Sequence, residues 1–235
     1  MFPLRDTIPS RNFPIVTLCI IIANSIVFIY ELSLGPTIDQ FLTRFGVIPV
    51  FYTRAWQENP LQLIPGLVPF FSSLFLHGGW MHVISNMWYL WIFGDNVEDR
   101  TGHFRFLLFY LFCGILAVLA HIIVNPLSDI PTVGASGAIA GVMGAYFILY
   151  PRARIVTLFF LFIFIQIIEI PAIFFLGFWI ILQIFSGTLS TGLTNESGGV
   201  AWWAHISGFF AGFISIFFFQ KKQNKKLVLK NIFRK

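Results

Sequence analysis

The stretch at residues 131–154, PTVGASGAIAGVMGAYFILYPRAR, holds a serine between glycines at the start of an apolar segment. Small residues follow Ser136 at spacings of three and four, as far as Gly144, so they share one face of a helix. Membrane helices with such faces approach each other closely. The segment 136–150 ends before Pro151, and its length of about 22 Å is shorter than the roughly 30 Å hydrocarbon core. The stretch predicts a short, closely packed membrane helix with Ser136 inside the bilayer.

The composition indicates an integral membrane protein. Of the 235 residues, 57% are hydrophobic, 30 are phenylalanine and only 11% are charged, against about 25% in a soluble domain. The net charge of +5 does not predict a nucleic-acid partner, because the basic residues lie where membrane topology requires them. Cys19 and Cys113 lie in apolar runs and predict neither a disulfide nor a metal site.

The apolar segments predict an all-α polytopic membrane protein with six transmembrane helices. The predicted spans are 13–34, 80–94, 106–124, 136–150, 171–185 and 202–220. They form one membrane domain over 1–235, with an external loop at 35–79, a core at about 70–220 and a basic cytoplasmic tail at 221–235. The apolar segment 155–168 is not counted as a seventh span, because a seventh crossing would break the predicted topology. It is either a linker at the membrane interface or an extension of the fifth helix beyond Pro171.

The distribution of positive charge predicts the orientation. With six crossings and both termini in the cytoplasm, only Arg44 and Arg54 of the 15 lysine and arginine residues lie outside. The first span has no small-residue cleavage motif and is expected to remain as a helix. We therefore expect a multi-pass protein of the cell (inner) membrane with cytoplasmic termini.

A histidine in the last span lies at the depth of the serine. From His205 to the end of that span the helix measures about 24 Å, close to the value for Ser136. Gly208 continues the face that begins at His205, and Gly137 lies beside Ser136, so we expect the two helices to pack closely. His121 reaches a similar depth in the third span. Spacing alone does not choose between the two histidines.

The second span carries a further polar pair in HVISN. His82 and Asn86 are four residues apart and share a helix face, and polar groups inside a membrane indicate function by default. Such donors could hold a developing oxyanion. Ordinary explanations exist as well: Ser136 at a helix start could bond to its own turn, Asn86 could join helices, and His82 could be a core histidine with satisfied hydrogen bonds. His77 precedes two glycines and is interpreted as a loop residue facing water, and His103 lies on the cytoplasmic side.

Three ordered motifs together resemble the rhomboid intramembrane serine proteases. They are HVISN at 82–86, GASG at 134–137 and AHISGFFAG at 204–212, and the resemblance extends over about 70–212. It implies that Ser136 is the nucleophile and His205 its general base, in preference to His121. It also implies that His82 and Asn86, with the backbone N–H of Ser136, stabilise the oxyanion.

The resemblance assigns structural roles near the site to Gly134, which helps to shape the serine turn, and to Gly137 and Gly208. His77 matches a position near the oxyanion site. The polar loop 186–199 would act as a cap, and the fifth helix as a side gate for the substrate. The chain departs from the family pattern at Ala140, where some members have an aromatic residue that stacks on the histidine. The Trp-Arg pair of the first loop is also missing, and TRAW at 53–56 is the nearest match.

The expected activity is hydrolysis of a peptide bond by a Ser-His dyad, since Glu31, Asp129 and Glu196 lie at helix ends or in loops. No cofactor or metal is expected. The expected partners are transmembrane protein substrates and the bilayer, and the sequence predicts no oligomeric state. The alternative is an inactive relative that binds membrane proteins or serves quality control. A transporter is disfavoured because the chain has neither an inverted repeat nor an intramembrane ion pair.

Overall fold

A computed structural model describes residues 1–58, 60–64, 66–161, 164–192 and 200–221. The α-helices in these ranges are α1 (Ile15–Ser33), α2 (Ile38–Phe45), α3 (Pro49–Glu58), α4 (Leu67–Ser72), α5 (Trp80–Thr101), α6 (His103–Val124), α7 (Ser136–Leu149), α8 (Ala172–Gly192) and α9 (Trp202–Phe219). Single 3-10 turns occupy Gly35–Thr37, Pro60–Leu63 and Ser73–Phe75. The strands are β1 (Phe2–Asp6), β2 (Arg154–Leu161) and β3 (Phe164–Pro171).

The mostly helical membrane fold is confirmed. Among the described residues, four helices are long and apolar enough to cross a membrane, namely α1, α6, the part Ala172–Ser190 of α8, and α9. A fifth crossing results if Leu67–Phe75 and Trp80–Thr101, which meet at 86°, count as one span. The apolar helix α7 is shorter than these. Every predicted span lies on one of these helices, and the number of six crossings stays a prediction.

Helix α7 lies at the centre of the bundle, and glycines allow its neighbours to reach it. All residues from Gly137 to Tyr146 are buried, as expected for a helix that is apolar on every side. A Cβ atom on Gly208 would lie 2.1 Å from the carbonyl oxygen of Gly137, and one on Gly212 would lie 1.9 Å from that of Gly141. Only glycine fits at such distances, so α7 and α9 meet backbone to backbone, as the small-residue faces predict.

Large apolar side chains cover the outside of the bundle. Exposed members on three helices are Ile22, Ile26 and Ile29 of α1, Phe178 and Phe185 of α8, and Ile214, Phe217 and Phe218 of α9. A soluble protein rarely exposes so much contiguous apolar surface. These side chains are in contact with lipid in a membrane.

The segment 155–168 is a β-hairpin, so its interpretation as an extension of the fifth helix is wrong. Strands β2 and β3 pair antiparallel from Arg154↔Pro171 to Leu161↔Phe164, and β1 adds to the free edge of β2. The segment is rich in isoleucine, phenylalanine and valine, which favour strands when a tertiary partner is present. Pro171 ends β3, and α8 begins directly after it. The sheet marks one end of the bundle, called the sheet end below.

Two helices are longer than predicted. Helix α5 continues past Gly94 because the carboxylate of Glu98 accepts bonds from the backbone N–H groups of Val16 and Thr17, at 2.9 and 2.7 Å, at the start of α1. This carboxylate satisfies N–H groups that a helix start leaves free. Helix α8 continues through the first part of the predicted loop 186–199, where Thr188 and Ser190 donate to carbonyl oxygens of their own helix. Residues 193–199 of that loop, and the predicted tail beyond residue 221, lie outside the described residues.

Candidate active site at the serine end of the bundle

The serine turn is held by the segment that joins α1 to α5. The N–H of Gly134 donates to the carbonyl of Ser73 at 2.8 Å. Thr132 and Val47 exchange two backbone hydrogen bonds, at 2.7 and 3.0 Å. Gly134 has a φ of +126°, which L side chains rarely adopt. The chain then enters α7, so that Ser136 is the first residue of the helix and is half-buried.

His82 meets the serine across Gly134. A Cβ atom on Gly134 would lie 2.6 Å from Nε2 of His82 and 3.7 Å from Oγ of Ser136. The missing side chain therefore creates the space in which the imidazole lies against the backbone that precedes the serine. The positive φ and this close approach are two separate reasons for a glycine at this position.

His205 lies in the first turn of α9, beside the first turn of α7. A Cβ atom on Gly137 would lie 3.6 Å from the carbonyl oxygen of Ala204, the residue before His205. The structure thus brings the helix starts that carry Ser136 and His205 together. Within the described residues no hydrogen bond joins Ser136 Oγ to His205.

The imidazole of His205 is held from α8. Its Nδ1 lies 2.8 Å from Oε1 of Gln183. The ring of Trp179 lies 6.0 Å from the imidazole, centroid to centroid, with the planes at 31°, and Trp202 presents an edge at 6.3 Å. Sequence reasoning missed Gln183 and Trp179. A glutamine within an apolar span is itself a signal, because an amide in a membrane needs a partner.

His77 lies beneath His82 and is buried, so its interpretation as a loop residue facing water is wrong. His77 is only 2% exposed, and its Nε2 lies 3.0 Å from Nδ2 of Asn86. Its ring packs edge to face on His82, with centroids 5.0 Å apart. The N–H of His77 donates to both carboxylate oxygens of the buried Glu31, at 3.1 and 3.3 Å. His77 therefore connects α1 to the two predicted oxyanion residues.

The competing histidine has a partner of its own. Nδ1 of His121 lies 3.2 Å from Nδ2 of Asn125, one turn further along the chain. His103, in turn, bonds Glu98 at the opposite end of the bundle, at 2.5 Å between Nδ1 and Oε1. Of the three histidines, only His205 contacts the amide of Gln183.

A small cavity of about 20 Å³ lies beside Ser136. Its lining includes Gly134, Ser73 and Ala204. A cavity of roughly 10–15 Å³ accommodates one water molecule. The hydroxyl of Ser73 is buried and has no hydrogen-bond partner among the described residues, so a water molecule in the cavity would satisfy a polar group.

These features define a class: a polytopic membrane protein whose serine, histidines and amides meet inside a helical bundle. The model of the rhomboid domain matches residues 65–222, more than half of the chain. The chain therefore belongs to the rhomboid family, as the three motifs predict.

Individual relatives are similar over shorter stretches. Rhomboid-like protein 11, chloroplastic, of Arabidopsis thaliana is 34% identical over 120 residues, which cover 51% of this chain and 40% of that protein. Rhomboid protease GluP of Bacillus subtilis is 35% identical over 118 residues, covering 50% and 21%. Presenilin-associated rhomboid-like protein, mitochondrial, of Bos taurus is 27% identical over 142 residues, covering 60% and 34%. The aligned stretches span less than half the length of these relatives.

Proposed function

We propose that this protein is an intramembrane serine endopeptidase that hydrolyses peptide bonds in or near the transmembrane segment of membrane proteins. One observation carries the proposal. The glycine-mediated contact of α7 and α9 brings the helix starts of Ser136 and His205 together, while His82 lies against Gly134 beside the serine. A nucleophile, a base and a donor from three helices thus occupy one place.

The reaction begins with proton transfer from Ser136 Oγ to Nε2 of His205. A serine hydroxyl is a weak nucleophile until such a base acts on it. Oγ attacks the scissile carbonyl carbon, and the electron pair of the C=O bond moves to oxygen. When the tetrahedral intermediate collapses, His205 donates its proton to the leaving amine. A water molecule, activated in the same way by His205, then hydrolyses the acyl-enzyme and restores Ser136.

The oxyanion is stabilised by His82, Asn86 and the backbone N–H of Ser136. The His82 imidazole lies beside the serine turn, and its position suits a donor to the carbonyl oxygen. The side-chain amide of Asn86 has two N–H donors. One of them bonds Nε2 of His77, which leaves the other to donate to the oxyanion. Fixed donors of this kind stabilise charge that develops in the transition state, because they need no reorganisation.

We propose an orientation in which the sheet end faces the cytoplasm. Strand β1 pairs with β2, and the N–H of Lys221, which follows α9, donates to the carbonyl of Arg100 near the end of α5 at 3.1 Å. The positive-inside rule assigns this end to the cytoplasm of a cell membrane. The serine then opens toward the outer side, where water can reach it and where a substrate helix arrives from the lipid.

The test is cleavage in proteoliposomes. The purified full chain is reconstituted with a fluorescently labelled single-span substrate, and wild type is compared with Ser136→Ala, His205→Ala and His121→Ala. We expect cleavage by wild type and His121→Ala, and none by the first two variants. Full activity of Ser136→Ala or His205→Ala would contradict the proposal. Binding of the substrate without cleavage by wild type would favour an inactive, substrate-binding rhomboid relative.

A further inference from the structure

We propose that Gln183 of α8 is a positioning residue that fixes the tautomer and the orientation of the His205 imidazole. The inference rests on the proposed function, in which His205 is the base. It adds a third member to the predicted Ser-His dyad. That member is a neutral amide on a helix that the three rhomboid motifs do not include.

The hydrogen-bond chemistry of the pair determines the tautomer. Oε1 of Gln183 lies 2.8 Å from Nδ1 of His205, and an amide oxygen can only accept a hydrogen bond. With the amide in this orientation, Nδ1 carries the proton. In a neutral imidazole the other nitrogen, Nε2, then has the free electron pair. This is the tautomer that a base for Ser136 requires.

The surroundings of Gln183 keep this bond in place. The residue is 7% exposed and lies in the part of α8, from Ala172 to Phe185, whose other side chains are all apolar, and an amide without a partner is unfavourable there. His205 provides the partner, so the burial of Gln183 and the orientation of the imidazole depend on each other.

The same helix replaces the stacking group that some family members have and that this chain lacks. Ala140, four residues after Ser136, has no ring to support the imidazole. Trp179 lies one turn before Gln183 on the same face of α8, and its ring is tilted by only 31° from the imidazole at 6.0 Å. Helix α8 therefore supplies both a flat surface and an acceptor. The position of α8 then controls whether His205 is ready to act as a base.

Substitutions at neighbouring positions separate this role from general packing. Gln183→Met keeps the length of the side chain and removes the acceptor, whereas Gln183→Glu keeps a carbonyl oxygen at the same reach. Leu182→Met is the matched control, because Leu182 is 42% exposed and lies beside Gln183 on α8. In the proteoliposome assay we expect Gln183→Met to lower kcat by about 10–100-fold with KM changed less than twofold. We expect Gln183→Glu to retain most of the activity and Leu182→Met to equal wild type.

A second readout does not depend on cleavage. The full chain, labelled with ¹⁵N-histidine and reconstituted at neutral pH, is examined by solid-state NMR, and the His205 signals are assigned by their loss in His205→Gln. We expect a protonated Nδ1 and an unprotonated Nε2 in wild type, and a mixture of tautomers in Gln183→Met.

Wild-type kcat in Gln183→Met, or a neutral His205 protonated on Nε2, would overturn the proposal. If wild type did not cleave any substrate, the proposed function would fail, while the NMR spectrum would still decide the tautomer. If Ser136→Ala abolished cleavage and Gln183→Met did not, the function would stand and the positioning role would fall.

Discussion

Replacing Gly134 with alanine changes both the backbone and the space beside Ser136. The residue has a φ of +126°, and the new Cβ atom would lie 2.6 Å from Nε2 of His82. Gly35 offers a matched control, because it also has a positive φ, +52°, but no atom lies within 4 Å of its Cβ position. The two variants therefore share backbone strain and differ in the displacement of an imidazole.

Backbone strain lowers stability, whereas displacement of the His82 imidazole lowers kcat. A non-glycine residue costs about 1–2 kcal/mol in the left-handed region, where Gly35 lies, and the φ of Gly134 falls outside that region, so Gly134→Ala should lose at least as much stability as Gly35→Ala. In Gly134→Ala the imidazole must also move away from the serine turn, since real Cβ contacts do not reach 2.6 Å. Removal of one oxyanion donor lowers kcat by about 10²–10³-fold. We expect a loss of this size in Gly134→Ala and wild-type kcat in Gly35→Ala.

The assay combines cleavage kinetics in proteoliposomes with thermal unfolding in detergent, on the same preparations. Unfolding shows whether each variant is folded at the assay temperature, and kinetics at saturating substrate report kcat. If Gly134→Ala and Gly35→Ala had equal kcat values while both were folded, the reasoning that joins Gly134, His82 and the oxyanion would be refuted.

Three further predictions concern helix packing, the oxyanion and pH. Gly212→Ala places a Cβ atom 1.9 Å from the Gly141 oxygen and should destabilise the protein by at least about 1–3 kcal/mol in thermal unfolding. Gly177→Ala is the control, because the nearest atom to its Cβ position lies at 3.9 Å, and it should not destabilise the protein. Equal Tm values for the two variants would contradict the contact of α7 and α9. Asn86→Ala should lower kcat by about 10²-fold if the amide stabilises the oxyanion, and an unchanged kcat would limit Asn86 to packing. Burial raises the pKa of Asp6 to about 6, although the Tyr146 hydroxyl opposes the shift. The folded state therefore holds this proton more tightly than the unfolded state, and the stabilisation from Asp6 is lost as pH rises from about 4 through about 6. The Tm difference between wild type and Asp6→Asn should change across that range, and a constant difference would show that Asp6 does not titrate there.

The helical core could be predicted because its signals are local. Apolar length identified the spans, and the recurrence of Gly137, Gly141 and Gly208 identified the faces that meet. Each of these properties is readable within one helix. The assignment of the base was different: His121 and His205 have similar depths, and only the resemblance to the rhomboid motifs favours His205.

The parts that could not be predicted depend on partners distant in the sequence. The segment 155–168 is a short apolar run, for which periodicity does not separate strand from helix, and its strand pairing needs the N-terminal residues of β1. The burial of His77 depends on Glu31, a carboxylate from α1 that takes its N–H. Gln183 in an apolar span indicates a polar partner, but the sequence does not identify that partner as His205, whose Nδ1 lies 2.8 Å from its Oε1.

The most direct measurement is covalent labelling of the protein in its membrane with a fluorophosphonate, which reacts with activated serine hydroxyls, followed by mass spectrometry of the peptides. We expect a single adduct on Ser136 in wild type, and no adduct in His205→Ala. An adduct on another serine, or full labelling of Ser136 without His205, would contradict the claim that these two residues act together.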